Sequence, residues 1–283
     1  MTDGKFHAAM RSASRAGTLY FTKNQLYGAY CRKMRADRVS WIALACTATT
    51  LAFIMFLTAF WVPLAIVCML VPYFIYVACT VSAKPMSMKH FMGLVDRWQA
   101  AGKPIERLID GPTLHDPPPS SSESDLYDYG VEKILLVQRD ELVDWFVLNH
   151  IHAEQRSLVI AESGYPKYLL PTAERLLRQR PDLPIHLLHD ATPEGMGMEG
   201  RLPDVPLPTA GHPVLDLGLT PGVFQRLRRT SVIDRKNRGR ELPVDVLPLT
   251  TLATGMVIAQ QRGETIIEFL SGDGDGDADG DFG

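Results

Sequence analysis

An aspartate at the end of an apolar run is the residue of this sequence best placed to do chemistry. The stretch LPIHLLHDATPEG, residues 183–195, turns polar at Asp190 and continues directly into a Thr-Pro-Glu-Gly turn. In α/β proteins the ligand lies beyond the carboxyl ends of the strands. A carboxylate there can hold Mg²⁺, which binds hard oxygen ligands, usually one or two carboxylates completed by water or phosphate. Asp190 is therefore a candidate metal ligand, and Glu194 in the turn is the one nearby acid that could join it.

Strand and helix patterns alternate around this aspartate. The strand-like runs are KILLV, SLVIAES, PIHLLHD and HPVLDLGL, and the helical runs between them are DELVDWFVLNH, YPKYLLPTAERLLRQR and PEGMGMEGRL. This alternation predicts an α/β fold with a mostly parallel sheet and flanking helices. The residues after the strands are Gln138 and Arg139, Glu162 to Tyr165, Asp190 to Gly195, and the loop after Leu219. From these the sequence predicts a ligand-binding set consisting of Gln138, Gly164, Tyr165, Asp190, Thr192 and Glu194.

The order and spacing of these segments resemble the Toprim domain found in the DNA-cleaving chain of topoisomerase VI and in its meiotic double-strand-break relatives. The likeness rests on a strand ending at Gln138, a strand leading into Gly164-Tyr165-Pro166, and a strand ending in Asp190-Ala-Thr-Pro-Glu-Gly. It covers residues 134–198 well, and residues 131–270 if the rest of the fold is included. The resemblance implies a Toprim-like α/β domain.

The resemblance also implies that the metal chemistry is degraded. In the family the first strand normally ends in a glutamate that supports metal binding or acid–base work, and the third ends in an Asp-x-Asp pair that holds magnesium. The matching residues here are Gln138, Asp190 and Thr192. Two-metal DNA chemistry needs several carboxylates, and one of three remains. Asp140 and Glu141 are expected on the following helix, pointing past the strand end.

We therefore expect no catalytic residues and no cofactor, and a binding or scaffolding role. The alternative is a Mg²⁺-dependent nuclease or phosphotransfer enzyme that uses Asp190 with Glu194. A third interpretation is a wholly structural domain that pairs copies of itself.

The segment FTKNQLYGAYCRKM, residues 21–34, resembles the motif that carries the family's DNA-cleaving tyrosine. That motif typically ends in two adjacent tyrosines, whereas this sequence reads Tyr27-Gly28. Residues 1–40 are also too few for the winged-helix domain that holds the motif in the family. The other interpretation is a basic juxtamembrane helix with a face toward lipid or the soluble domain, formed by Leu19, Leu26, Tyr27 and Tyr30.

Residues 41–82 contain no charged residue. One spanning helix needs about 20 apolar residues, so this run is long enough for two, and Pro63 breaks it. We predict a hairpin of helices 41–61 and 63–82 that acts as an anchor. Basic residues dominate both flanks, which predicts a multi-pass protein of the cell (inner) membrane with both termini in the cytoplasm.

A helix and a linker are expected after the hairpin. Residues 86–99, MSMKHFMGLVDRWQ, predict a helix that either lies on the cytoplasmic leaflet or packs on the soluble domain; its apolar face contains Met88, Phe91, Met92, Val95 and Trp98. Residues 111–130 are rich in Pro, Ser and acid and predict a flexible linker. The expected regions are a basic N-terminal segment (1–40), the hairpin (41–82), the helix and linker (83–130), the α/β domain (131–270) and a tail (271–283).

The remaining charged segments predict partners rather than catalysis. A net charge of −3 gives no global attraction to nucleic acid. A local basic patch could bind anionic lipid or nucleic acid, with lipid favoured because no aromatic residue is interleaved; it consists of Arg226, Arg228, Arg229, Arg235, Lys236, Arg238 and Arg240. The expected partners are the lipid bilayer and either a protein partner or a second copy of the chain.

The tail and the cysteines carry weaker signals. Residues 275–281 match the first half of a calcium loop, but its bidentate glutamate would fall after Gly283, so we predict a disordered acidic tail. No CxxC pair occurs, which indicates reduced cysteines without zinc; these are Cys31, Cys46, Cys68 and Cys79.

Overall fold

The computed structural model describes residues 3–34, 86–117, 130–219 and 242–262, together with Thr47 and Thr50. Apart from those two threonines, the predicted hairpin lies outside the described residues, as do the basic patch and the acidic tail. Within the described part of the chain, no helix combines the length and the apolar character needed to cross a membrane.

A four-stranded parallel sheet forms the centre of the α/β region. Its strands are β3 (Lys133–Val137), β4 (Ser157–Ala161), β5 (Ile185–Leu188) and β6 (Val214–Asp216), in the order β4-β3-β5-β6. Val137 lies opposite both Ala161 and Leu188, so the first three strands end at one edge. The residues of β3, β4 and β5 are all buried, as expected for strands covered on both faces. The predicted parallel α/β sheet is confirmed.

Helices cover both faces of this sheet. One face packs against α4 (Asp140–Leu148), α5 (Ile151–Glu154) and α8 (Leu249–Arg262). The other packs against α6 (Leu170–Gln179) and a 3-10 turn (Glu199–Asp204). Short α7 (Pro193–Met196) follows the end of β5, and a second 3-10 turn (Val244–Val246) precedes α8. The predicted flanking helices are therefore present.

The N-terminal segment forms a separate helical cluster with the helix after the predicted hairpin. It contains α1 (Asp3–Ala13), α2 (residues 23–34) and α3 (Met88–Ala100), joined by a parallel pair of β1 (Phe21–Thr22) and β2 (Leu108–Ile109). The Cys31 side chain is buried in this cluster. Leu26, Tyr27 and Tyr30 are also buried in this cluster, so their face points toward protein.

The apolar face of α3 is used for protein packing. Phe91 and Val95 are fully buried against α1 and α2, and Met88, Met92 and Trp98 pack around them. The tyrosine rings of α2 lie on Phe91, with centroids 5.4 Å away for Tyr27 and 5.1 Å for Tyr30. Of the two interpretations of residues 86–99, the structure supports packing against protein, but the partners are α1 and α2 rather than the α/β domain.

The start of the predicted flexible linker is docked on the α/β region. The backbone N–H and the hydroxyl of Thr113 both donate to the buried Asp144 carboxylate at 2.6 Å, and the Leu114 N–H donates to the Tyr165 hydroxyl. Residues 118–129 of the linker lie outside the described residues. The composition of residues 111–130 therefore did not reveal that its first part has fixed partners.

Candidate functional site

Asp190 lies just after β5 at the carboxyl edge of the sheet, as predicted, and it is almost completely buried. Its carboxylate is already fully engaged. The Arg139 Nε donates to its Oδ2 at 2.9 Å, and the Val244 N–H donates to its Oδ1 at 2.7 Å. Arg139 Nη2 lies 3.4 Å from the same Oδ1. Both oxygens of this side chain therefore already accept hydrogen bonds from the protein.

Arg139 bridges Asp190 to a second buried carboxylate. Its Nη2 lies 2.5 Å from Oδ1 of Asp245, whose side chain is completely buried. Asp245 also accepts from the hydroxyl of Thr22 at 2.5 Å and from the amide of Asn24 at 3.1 and 3.2 Å. The Arg139 guanidinium thus joins the sheet edge to the turn before α8, and Asp245 in that turn joins both to the N-terminal segment. We call Arg139, Asp190 and Asp245 the ionic network.

Burial and charge act against each other in this network. Burial raises the pKa of the Asp190 carboxyl, and the nearby Arg139 charge opposes that rise. Burial lowers the pKa of the Arg139 guanidinium, but the charges of Asp245 and Asp190 outweigh it and hold that pKa above its usual value. Arg139 is therefore a permanent cation between two carboxylates.

Gln138 holds the turn rather than facing a ligand. Its side-chain oxygen accepts from the Asp190 N–H at 2.8 Å. The turn closes tightly over it, because a Cβ at Gly195 would collide with the Asp190 carbonyl oxygen and lie 2.8 Å from the Gln138 amide oxygen. Gln138 thus has a structural role in this turn.

Thr192 and Glu194 lie in the turn that follows Asp190. The Thr192 hydroxyl accepts from the Gly195 N–H at 2.9 Å and caps α7. Glu194 lies on the exposed side of that short helix. Within the described residues, no group of three or more His, Cys, Asp or Glu side chains could hold a metal.

His189 contacts the backbone of Asp190 rather than its carboxylate. Its Nδ1 lies 2.8 Å from the Asp190 carbonyl oxygen, and its Nε2 lies 3.1 Å from Asp216. Burial lowers the pKa of this imidazole, but the Asp216 carboxylate and the Asp190 carbonyl outweigh that effect and raise it.

Gly164 and Tyr165 form the neighbouring turn at the end of β4. Gly164 has φ +82°, a left-handed conformation that favours glycine. The Tyr165 hydroxyl donates to Asp144 at 2.6 Å, and burial raises the pKa of that phenol. Because the same hydroxyl accepts from Leu114, the chain's own linker occupies this predicted ligand position.

Gly28 in α2 packs directly on the turn that holds Asp245. A Cβ there would collide with the Val246 carbonyl oxygen. One turn later, the Arg32 Nη1 donates to the same oxygen at 3.2 Å. Burial lowers the pKa of that guanidinium to about 10. Close approach of the helix therefore requires glycine at this position.

Two of the three residues of the ionic network, Arg139 and Asp245, were not predicted as site residues. Arg139 was noticed at the strand end but given no role, and Asp245 was not noticed. A cation directly after a buried strand was the available signal for Arg139. No local pattern around Asp245 marks it, because its partners lie 106 and 223 residues away along the chain.

Fold and site together define an α/β protein with a parallel sheet whose buried carboxylates at the carboxyl edge are ion-paired. Comparison of the chain with protein-family models, curated proteins and solved structures finds no match.

Proposed function

We propose that this chain is a membrane-anchored protein whose Toprim-like α/β domain has lost metal chemistry and acts in binding or scaffolding at the cytoplasmic face. The observation that carries the proposal is the Arg139 guanidinium bridging Asp190 and Asp245 at 2.9 and 2.5 Å. The residues present do not fit a magnesium ion. A divalent cation would have to displace the partly buried Arg139 guanidinium, which is paired with both buried carboxylates.

The position corresponding to the family's nucleophile supports the same conclusion. If residues 21–34 correspond to the tyrosine motif, Gly28 stands where the attacking tyrosine would be. A side chain larger than hydrogen there would strike the Val246 carbonyl. Because α2 packs closely on residues 244–246, there is no space at position 28 for a tyrosine side chain.

The helical cluster supports a hairpin with both ends on one side of a membrane. The helices α2 and α3 run antiparallel, because Lys23 at the start of α2 pairs with Asp96 near the end of α3 at 3.0 Å, while Tyr27 bonds to Met86 before α3. Residues 34 and 86 therefore lie at the same end of the cluster. Residues 41–82 between these points form the proposed membrane hairpin.

A partner would meet the exposed rim beside the ionic network. Ser163 is exposed and donates to Asp140 at 2.6 Å, and Glu194 is exposed in the adjacent turn. We propose a protein partner or a second copy of the chain for this rim.

The full chain is the appropriate sample for a test, because Thr22 and Asn24 complete the site. Purified in detergent, it should show no stoichiometric Mg²⁺ uptake by calorimetry and no Mg²⁺-dependent cleavage of DNA or nucleotides. Metal-dependent turnover that disappears in Asp190→Ala would overturn the proposal and establish the enzyme alternative.

Membrane topology has its own test. In intact cells, Val62→Cys should react with an impermeant thiol reagent added from outside. Reaction only after the cells are opened would show that the hairpin turn faces the cytoplasm. That result would not affect the proposal that the site has lost metal chemistry.

A further inference from the structure

The start of the predicted linker is held beside the carboxyl edge of the sheet by a small set of contacts. The Thr113 hydroxyl and backbone N–H both donate to Oδ2 of Asp144 at 2.6 Å, and the Leu114 N–H donates to the Tyr165 hydroxyl. The Leu114 side chain packs against the core, and the centroid of the His115 ring lies 5.9 Å from that of the Tyr165 ring. We call residues 112–116 the strap.

The side chains that receive the strap are buried and bonded to each other. Asp144 is completely buried, and Tyr165 is 8% exposed. The Tyr165 hydroxyl donates to Oδ1 of Asp144 at 2.6 Å, which holds the phenol oxygen beside the carboxylate. We call Asp144 and Tyr165 the acceptor pair, because they accept two successive backbone N–H groups and one hydroxyl. The strap itself contains no helix or strand, and all of its residues except Leu114 are exposed.

The acceptor pair selects the kind of segment that can cover it. Among the described residues, the Asp144 carboxylate has three donors, two of which belong to Thr113. A segment that covered Asp144 without these donors would leave a buried carboxylate short of hydrogen bonds, which is unfavourable. Any segment that takes the place of the strap must therefore offer a hydroxyl, its own N–H and the next N–H along the chain.

We propose that the acceptor pair is a recognition site for an extended threonine- or serine-containing segment of a partner protein, and that the strap occupies this site within the chain. The inference rests on the proposed function, because it names the kind of partner that a binding role requires. The site adjoins the proposed rim, since the Tyr165 N–H donates to the Ser163 hydroxyl at 3.3 Å. The strap is then an internal competitor that the partner segment replaces.

The test measures binding of a fluorescein-labelled peptide with the sequence of residues 110–117 to the full chain in detergent, by fluorescence anisotropy. The attached strap has an effective concentration on the order of millimolar, so the wild-type chain should bind the peptide weakly. Thr113→Val removes one hydrogen bond between the strap and a charged acceptor. The Kd of the peptide for this variant should therefore be lower on the order of tenfold or more.

Matched variants separate recognition of the hydroxyl from a general loosening of the chain. Thr113→Ser keeps the hydroxyl and should bind the peptide as weakly as the wild type does. Thr18→Val removes an exposed hydroxyl that donates to the Arg15 carbonyl at 2.9 Å, away from the strap, and should also match the wild type. A peptide with valine in place of its threonine should bind Thr113→Val more weakly than the original peptide, on the order of tenfold.

The outcomes distinguish this inference from the proposed function. Equal peptide affinity in the wild type and Thr113→Val, or equal affinity for the two peptides, overturns the recognition site and leaves the loss of metal chemistry to be tested by magnesium uptake. Wild-type dimers that Thr113→Val abolishes would show that the strap of a second copy is the occupant, and would overturn the assignment to a partner protein. Tighter binding in Thr113→Val that is lost with the valine peptide supports the inference.

Discussion

The two edges of the central sheet each contain a cation, and the two cations have different partners. At the carboxyl edge, Arg139 lies between two buried carboxylates. At the amino edge, the buried Lys133 donates to the neutral side-chain oxygen of Gln260 at 2.5 Å. Next to it, His186 is buried, and its Nδ1 has no hydrogen-bond partner among the described residues. The carboxyl edge therefore contains ion pairs, whereas the cation at the amino edge bonds to an uncharged amide.

This difference appears in the titration of the groups. Burial lowers the pKa of Lys133, and burial with the nearby lysine charge lowers the pKa of His186 to about 4. The carboxylates at the other edge instead raise the pKa of Arg139 against its burial. The stability of the carboxyl edge should thus require that Arg139 and its carboxylates stay charged. The stability of the amino edge should require that His186 stays neutral.

Removal of Arg139 should give the largest effect. Arg139→Ala leaves two carboxylates buried without their cation, and breaking a buried pair in this way costs about 3–5 kcal/mol. Urea unfolding of the detergent-solubilised chain, followed by tryptophan fluorescence, measures the loss. The exposed Arg178→Ala, whose pair with Glu174 lies at the surface, should change the free energy of unfolding by less than about 1 kcal/mol.

The same variant tests the proposal that Arg139 excludes a magnesium ion from the two carboxylates. With the guanidinium gone, Mg²⁺ should raise the melting temperature of Arg139→Ala, because two carboxylates then need a cation. It should leave the wild-type melting temperature unchanged. A wild-type chain that Mg²⁺ stabilises as much as the variant would contradict the idea that Arg139 takes the place of the metal.

Acidification should give the second largest effect, because it lowers the free energy of unfolding through His186 at the amino edge. An unfolded histidine titrates near a pKa of about 6.5, whereas His186 in the fold has a pKa of about 4. The lowered pKa favours the neutral form, so its contribution to stability is complete above about pH 6.5 and is lost as pH falls toward 4. Linkage gives a loss of about 2 kcal/mol between pH 7 and pH 5.

His186→Leu provides the comparison, since leucine fills a similar space and does not titrate. The difference in free energy of unfolding between the two proteins should shift by about 2 kcal/mol from pH 7 to pH 5, because only the wild type loses this contribution. If the two curves stay parallel, the histidine is not the group that responds to acid.

Gly28→Ala tests how closely the N-terminal segment is attached to the carboxyl edge. The added methyl group would collide with the Val246 carbonyl, and overpacking of this kind costs about 1–3 kcal/mol. Gly93→Ala in α3 is the matched control, because its Cβ would meet nothing within 4 Å. That substitution should stabilise by up to about 1 kcal/mol through helix propensity. Equal melting temperatures for both variants would mean that α2 can move away from the turn.

The contrast between the two edges also explains what the sequence could predict. Strands β3, β4 and β5 were predictable because strands buried on both faces appear as continuous apolar runs, and Asp190 was placed correctly because it follows one of them. The partner of Asp190 was not predicted. Asp245 reaches Arg139 only after the chain folds back, and residues 242–247 contain no motif that points to such a contact.

The docked linker shows the same limit. The Pro- and Ser-rich composition of residues 111–130 is typical of a flexible segment, yet Thr113 bonds to Asp144. Composition predicts only how such segments behave on average. In this chain, two hydrogen bonds to the buried Asp144 carboxylate hold the backbone at Thr113 in place. Tertiary contacts of this kind have no local signature.

Lys133→Met should give the smallest change and completes the comparison. It removes a buried cation whose partner, Gln260, lies on the exposed side of α8 and can bond to water instead. Methionine keeps the length and the apolar stem, so we expect a change within about 1 kcal/mol in the free energy of unfolding. Because the Lys133 charge helps to lower the pKa of His186, the substitution should also raise that pKa toward its unfolded value and make the acid response smaller. A loss as large as that of Arg139→Ala would show that the amino edge, too, depends on a full charge.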